Sequence, residues 1–139
     1  MEPINFKFKK THKVRVKETE KEFKRFKLQY GVYGLQTMSG YRLTAKQIES
    51  VRRTIKKCIK KEGEIWFKVS LNRFLTSKPA EVRMGKGKGH LSTAVTVVKS
   101  GTIIVEVGGE VMSSKKALAS LKLAAQKLPL KVNVCKYFV

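Results

Sequence analysis

Apolar residues recur at two different spacings along this chain, and the spacing sorts it into elements. The stretch from Tyr30 to Leu43 is apolar and β-rich, and predicts a strand with a turn at Ser39-Gly40. Thr44 follows as a helix N-cap. With Gln47 three residues on it forms a Thr-x-x-Gln capping box, which satisfies two otherwise orphaned N–H groups. Plotted at 100° per residue, Ile48, Val51, Ile55, Cys58 and Ile59 fall within an arc of roughly 100°. That predicts a helix running to about Glu62 and stopping at Gly63, a C′ glycine. Glu64–Val69 reads as a strand, and 70–82 as a longer loop holding Pro79. Ala94–Val98 and Thr102–Val107, joined by a turn at Ser100-Gly101, read as a hairpin that Gly108-Gly109 ends. Ser113 or Ser114 caps a second helix of about 14 residues. Ala117, Leu118, Leu121, Ala124, Ala125 and Leu128 share one of its faces, and Pro129 ends it. Leu130–Val139 alternates as a last strand. The prediction is an α+β fold, two helices packed on an antiparallel or mixed sheet as a sandwich.

Charge changes the picture. The chain of 139 residues carries 31 Lys and Arg against 10 Asp and Glu, a formal net charge of +21. Self-repulsion on that scale works against a compact state unless an anionic partner relieves it. Nucleic acid, an anionic membrane surface and an acidic protein are the candidates. The membrane is the weakest, since no apolar run approaches the roughly 18–20 residues a spanning helix needs. No apolar h-region follows the N-terminus, so no secretory signal is expected, and Glu18, Glu20 and Glu22 are unlike an acid-poor transit peptide. Cys58 and Cys135 are far apart and form no C-x-x-C. Both are expected to be buried small apolar residues in a reducing compartment.

Three stretches concentrate cations in a way that points to a partner. Residues 1–29 form a basic arm in which Lys7, Lys9, Lys10, Lys13 and Arg15 interleave with Phe6 and Phe8. Such a segment is either a solvated tail or an arm that orders on RNA, with cations on phosphates and rings free to stack. On the first helix, Lys46, Arg53, Lys57 and Lys60 lie opposite the apolar arc, with only Glu49 and Glu62 as acids. A helix that is merely solvated mixes its charges to gain i,i+4 pairs, so this face is read as a phosphate contact. The third is Arg83-Met84-Gly85-Lys86-Gly87-Lys88-Gly89-His90. Alternating glycines let such a backbone approach a polyanion closely and set cations between phosphates. A flexible linker is the plain alternative.

No catalytic or metal-binding constellation accompanies these residues, so neither an enzyme nor a cofactor nor a metal is expected. His12 and His90 belong to no HExxH or Cys/His cluster. The glycine loop is neither a Walker A sequence nor a dinucleotide fingerprint. Paired carboxylates for acid–base work are hard to assemble from so few acids.

The stretch Tyr30-Gly31-Val32-Tyr33-Gly34-Leu35, then Arg42-Leu43-Thr44-Ala45-Lys46-Gln47-Ile48-Glu49 and Arg52-Arg53, resembles the large-subunit ribosomal protein sixteen family, which includes the archaeal and eukaryotic ten-e group. Gly63-Glu64-Ile65-Trp66, the run Lys78-Pro79-Ala80-Glu81-Val82-Arg83 with the glycine loop after it, and Ala124-Ala125-Gln126-Lys127-Leu128-Pro129-Leu130-Lys131 continue the match. The resemblance covers roughly residues 30–139, the expected folded domain, with a looser echo at Lys7–Arg15. It departs from the family pattern in the mixed-charge stretch Lys17–Lys27 and at Leu91-Ser92-Thr93.

The resemblance implies a structural constituent of the large ribosomal subunit, on large-subunit rRNA near the A-site tRNA cleft and the peptidyl transferase region. Its expected partners are that rRNA, A-site tRNA and neighbouring ribosomal proteins, with no membrane and no homo-oligomer. Arg83, Met84, Gly85, Lys86, Gly87, Lys88, Gly89 and His90 would line the tRNA cleft. Arg42, Lys46 and Arg53 would meet rRNA from the domain face, joined by Lys57 and the arm cations. Lysine outnumbers arginine 24 to 7, which resembles an organelle-encoded copy. A mitochondrial ribosome is the first expectation, a plastid or bacterial one the alternative. A free-standing RNA-binding or assembly factor is the alternative function.

Overall fold

The computed structural model describes residues 7–16, 27–109 and 111–137. Phe6, the acids Glu18, Glu20 and Glu22, most of the mixed-charge stretch and the last two residues of the expected final strand lie outside them.

Among the described residues nine elements follow in the order β1 (Tyr33–Thr37), β2 (Tyr41–Thr44), α1 (Ala45–Ile59), β3 (Glu64–Phe67), β4 (Arg73–Ser77), β5 (His90–Val98), β6 (Ile103–Gly108), α2 (Ser114–Ala125) and β7 (Val132–Lys136). The fold is α+β, as the pattern predicts, but the strands form two sheets. One has the order β3-β6-β1-β7, the other β2-β5-β4, and every pairing in both is antiparallel.

The expected hairpin of β5 with β6 does not form. β5 pairs with β2 and β4, whereas β6 pairs with β1 and β3. The turn is present, with Gly101 at φ 89° and Thr102 N–H donating to Lys99 C=O at 3.2 Å. It turns a corner between the sheets instead of closing a ladder. The chain turns a second corner between β1 and β2, and Thr37 ties the two together. Its N–H donates to Thr102 C=O at 2.9 Å, its hydroxyl to Lys99 C=O at 2.6 Å, and its carbonyl accepts from Gly101 N–H at 2.8 Å. Alternation reads the same for a hairpin and a corner, because it reports burial and not the partner strand.

Other boundaries shift. The expected loop over 70–82 contains β4, whose residues Arg73-Phe74-Leu75-Thr76 are half-buried and show no clean alternation. The capping box of α1 is present in both directions, Gln47 N–H to Thr44 Oγ1 at 3.3 Å and Thr44 N–H to Gln47 Oε1 at 2.9 Å. The helix ends earlier than expected, at Ile59, with Lys60 leaving it at φ 56°. Gly63 instead serves a close approach, since a Cβ there would stand 2.8 Å from Gly108 O. α2 is 12 residues long and ends before Leu128. Its buried side chains are Ala117, Ser120, Leu121 and Ala124, while Leu118 is exposed. Ser113 occupies the N-cap position without a capping hydrogen bond from its side chain. Cys58 and Cys135 are half-buried, not fully enclosed.

The core sits where the two helices meet the sheets. Ile48, Val51, Ile55 and Ile59 of α1 pack with Ala117, Leu121 and Ala124 of α2 and with Leu35, Leu43, Val98, Val105 and Val107 from the strands. Each fully enclosed aliphatic side chain contributes about 1.5–3 kcal/mol. This leaves the outer face of α1, the β4–β5 connection and the arm exposed, each rich in cations.

Candidate nucleic-acid interface

The β4–β5 connection carries the glycine loop into solvent, and residues 77–88 are all exposed. Three consecutive residues take positive φ: Gly85 at 96°, Lys86 at 53° and Gly87 at 84°. Glycine adopts this conformation freely, whereas a lysine held there costs roughly 1–2 kcal/mol. Around Gly85 and Gly87 the space is open, with nothing within 4 Å of where a Cβ would be. Gly89 is different, because a Cβ there would collide with the Ser77 backbone where β4 and β5 begin to pair. The loop thus has a free tip and a tight base. Lys78 donates from its ammonium to Gly85 C=O across the loop.

The arm returns to meet this loop. Lys88 Nζ donates to Thr11 C=O at 2.6 Å, and Lys10 Nζ donates to Lys88 C=O at 3.3 Å. Further along, Phe8, Lys9 and Thr11 border a recess with Asn72, Arg73 and Phe74 of β4 and its approach. Lys13 and Val16 border another with Gly40, Tyr41, Arg42 and Leu75. The arm therefore crosses the β2-β5-β4 sheet from the loop towards β2. Lys7, Lys9, Lys10, Lys13 and Arg15 are exposed along it. Arg42 Nη1 is buried beside this path with no hydrogen-bond partner among the described residues.

Segments 7–16 and 78–90 together hold nine Lys and Arg against one acid, Glu81. Their ammonium groups that make hydrogen bonds do so to carbonyl oxygens. A carbonyl carries only a partial charge, so among the described residues this junction concentrates cations without neutralising them.

The cations of α1 are arranged otherwise. Lys46, Glu49, Ser50 and Arg53 line a shallow recess with Ala45. Glu49 accepts from Arg52 Nη2 at 2.7 Å and Nε at 2.9 Å, and from Arg53 Nε at 3.1 Å. Those hydrogen bonds, Arg52 first and then Arg53, hold its carboxyl down to about 2. Arg53 still exposes 77% of its side chain. Lys57 is exposed on the same helix. The second acid counted on this helix, Glu62, pairs with Lys116 at 2.7 Å.

Of the residues singled out in the sequence, the structure joins Lys10 to the glycine loop and Lys13 to the recess of Arg42, and sets Lys9 beside β4. It leaves Lys46 and Arg53 in a separate recess. His90 begins β5 and is exposed. Sequence reasoning missed Asn72, Arg73 and Phe74 as the seat of the arm, because β4 was not recognisable as a strand. It also missed Lys78, which braces the loop.

The family described as Ribosomal protein L16p/L10e matches residues 3–135. The chain is similar to "Large ribosomal subunit protein uL16" of Buchnera aphidicola subsp. Acyrthosiphon pisum (strain Tuc7), at 41% identity over 133 residues, covering 96% of this chain and 94% of that one. It is similar to "Large ribosomal subunit protein uL16c" of Gracilaria tenuistipitata, at 41% over 133 residues and 96% of each chain. The uL16 protein of Psychrobacter arcticus is 41% identical over 136 residues, 98% of this chain and 96% of its own. Spread over nearly the full length, these matches establish that the chain belongs to the ribosomal protein L16p/L10e family, whose members are structural components of the ribosome and not enzymes.

Proposed function

We propose that this chain is a structural constituent of the large ribosomal subunit that binds large-subunit rRNA through its arm, its glycine loop and the outer face of α1. The observation that carries this reading is the junction of arm and loop, where Lys10, Lys88 and Thr11 interlock and a single acid faces nine cations. A-form RNA offers its backbone and shape more readily than its deep major groove, so lysines on mobile stems suit it. In this reading residues 1–29 act as the RNA-binding arm and 30–139 as the folded domain. The loop tip, from Arg83 to His90, lies near the A-site cleft and helps position tRNA, with neighbouring ribosomal proteins around it. Lysine outnumbering arginine 24 to 7 supports a mitochondrial ribosome, with plastid and bacterial ribosomes as the alternatives.

Two measurements test it. Binding to a large-subunit rRNA fragment should weaken steeply with salt, by about 10³–10⁵ between 50 and 200 mM if roughly 6–10 phosphates are engaged in a duplex, less on single strands. A flat response overturns the reading. Subunits carrying Lys86→Ala with Lys88→Ala should assemble yet accommodate tRNA poorly, and normal accommodation would remove the tRNA role. If the protein washes off mature subunits in high salt, it is a free-standing factor.

A further inference from the structure

Glu106 is a carboxylate in the most enclosed strand of the molecule, and the RNA reading makes no use of it. Its side chain has no exposed surface. Gly34, Glu106 and Trp66 stand opposite one another across β1, β6 and β3, so they share one face of the four-stranded sheet. Leu35 and Val105, on the other face, join the core with the helices. Glu106 therefore projects away from the helices, onto the face that residues 28–31 cross.

That crossing segment is built around the carboxylate. Glu106 Oε2 accepts three consecutive backbone N–H groups, from Gln29 at 3.0 Å, Tyr30 at 2.7 Å and Gly31 at 3.0 Å. Three donors converging on one oxygen make a cradle for an anion. Gly31 lies so close to β6 that a Cβ would stand 2.7 Å from Val107 N and O. Leu28 is buried against Gly34. Oε1 has no hydrogen bond among the described residues and faces Lys68 Nζ at 3.6 Å. Lys68 in turn donates to the Gln29 side chain and stands 4.9 Å from the Tyr30 ring centre, which stacks on Trp66 at 6.1 Å. Each of these contacts grips the segment where the basic arm joins the domain.

We propose that Glu106 is a positioning residue for the arm: by seating the N–H groups of residues 29–31 on the sheet, it fixes where the arm leaves the domain and so its register on RNA. The role at the RNA rests on the function proposed above, but the anchoring itself does not. A carboxylate suits the task better than an amide, since one oxygen with a full charge can hold three N–H groups at once. A glutamine would turn a neutral oxygen to the cradle and an NH₂ group towards Lys68.

The test uses the full chain with Glu106→Gln. Hydrogen exchange at Gln29, Tyr30 and Gly31 should accelerate at least about tenfold, while the amides of α1 keep their rates. Affinity for a large-subunit rRNA fragment should fall. Added to Lys9→Ala, Lys10→Ala and Lys13→Ala, the change should cost nothing more, because the arm is already disabled. Added to Lys46→Ala and Lys57→Ala, it should cost its full amount. Unchanged exchange at 29–31, or a full additional loss on top of the arm substitutions, overturns the proposal. Should Glu106→Gln fail to fold, Lys68→Met on the rim replaces it, with the same exchange pattern expected and the same outcomes counting against it. If the wild-type chain binds no rRNA, the functional reading falls, and the exchange rates still decide whether Glu106 anchors the arm.

Discussion

The cations of α1 and those of the arm–loop junction treat their charge differently. On α1, Glu49 takes hydrogen bonds from Arg52 and Arg53, so two of the helix's cations are already committed. At the arm–loop junction, Lys10, Lys78 and Lys88 rest on carbonyl oxygens, and among the described residues no carboxylate joins them. A phosphate can displace a carbonyl from an ammonium at small cost, but it must compete with Glu49 for the arginines. The junction is the stronger claimant on RNA, and the α1 face is a weaker, partly self-neutralised one.

The comparison can be broken by substitution. Changing Lys9, Lys10, Lys86 and Lys88 together to alanine should lower the slope of log affinity against log salt by about 3–4. The same treatment of Lys46 and Lys57 should lower it by less than about 1. Equal losses per lysine would erase the distinction. Glu49→Gln should do the opposite on α1, releasing Arg52 and Arg53 and steepening the slope by about 1–2. An unchanged slope would show that the helix face does not reach the RNA.

Acid separates the molecule's anions in a second way. Burial pushes the Glu106 carboxyl up, but the N–H groups of Gly31, Tyr30 and Gln29, with Lys68 beside them, outweigh it and hold it below the usual carboxylate range. A carboxyl depressed in the folded state adds stability above its unfolded value of about 4.3, and that stability is lost as pH falls through the lower folded value. Thermal melts of the wild type should therefore drop below about pH 4, and the drop should be shallower for Glu106→Gln. Identical pH profiles would sink this. The smallest effect concerns the loop tip. Gly87→Ala meets no steric contact but must hold φ near 84°, which costs about 1 kcal/mol. Expected is a loss of loop order by NMR with the melting temperature of the domain unchanged.

Much of this architecture was legible in the sequence, and the failures share one cause. The α1 capping box and the apolar positions Ile48, Val51, Ile55 and Ile59 follow from local chemistry, and the structure reproduces them; the expected α2 face holds at Ala117, Leu121 and Ala124 but not at Leu118. The hairpin of β5 and β6 failed because alternation cannot name a strand's partner. β4 was lost because its half-buried residues carry neither a clean period nor turn residues at both ends. The cations of the interface could be picked out by composition, since lysines between glycines and aromatics are conspicuous. Their convergence could not, because the contacts of Lys88 with Thr11 and of Lys10 with Lys88 span 77 and 78 positions. Glu106 left no trace at all, as a single acid in an apolar strand reads as a surface position.

The order of strands in the larger sheet has a consequence for synthesis. β1, the first strand of the domain, lies between β6 and β7, so its second partner arrives only with residues 132–136. Pairings this distant in sequence close late. A growing chain thus exposes its basic N-terminal segment on the ribosome that makes it before β5 completes the sheet that this segment crosses and β6 brings Glu106 to its root, and a polyanion can engage it while the rest is still being translated.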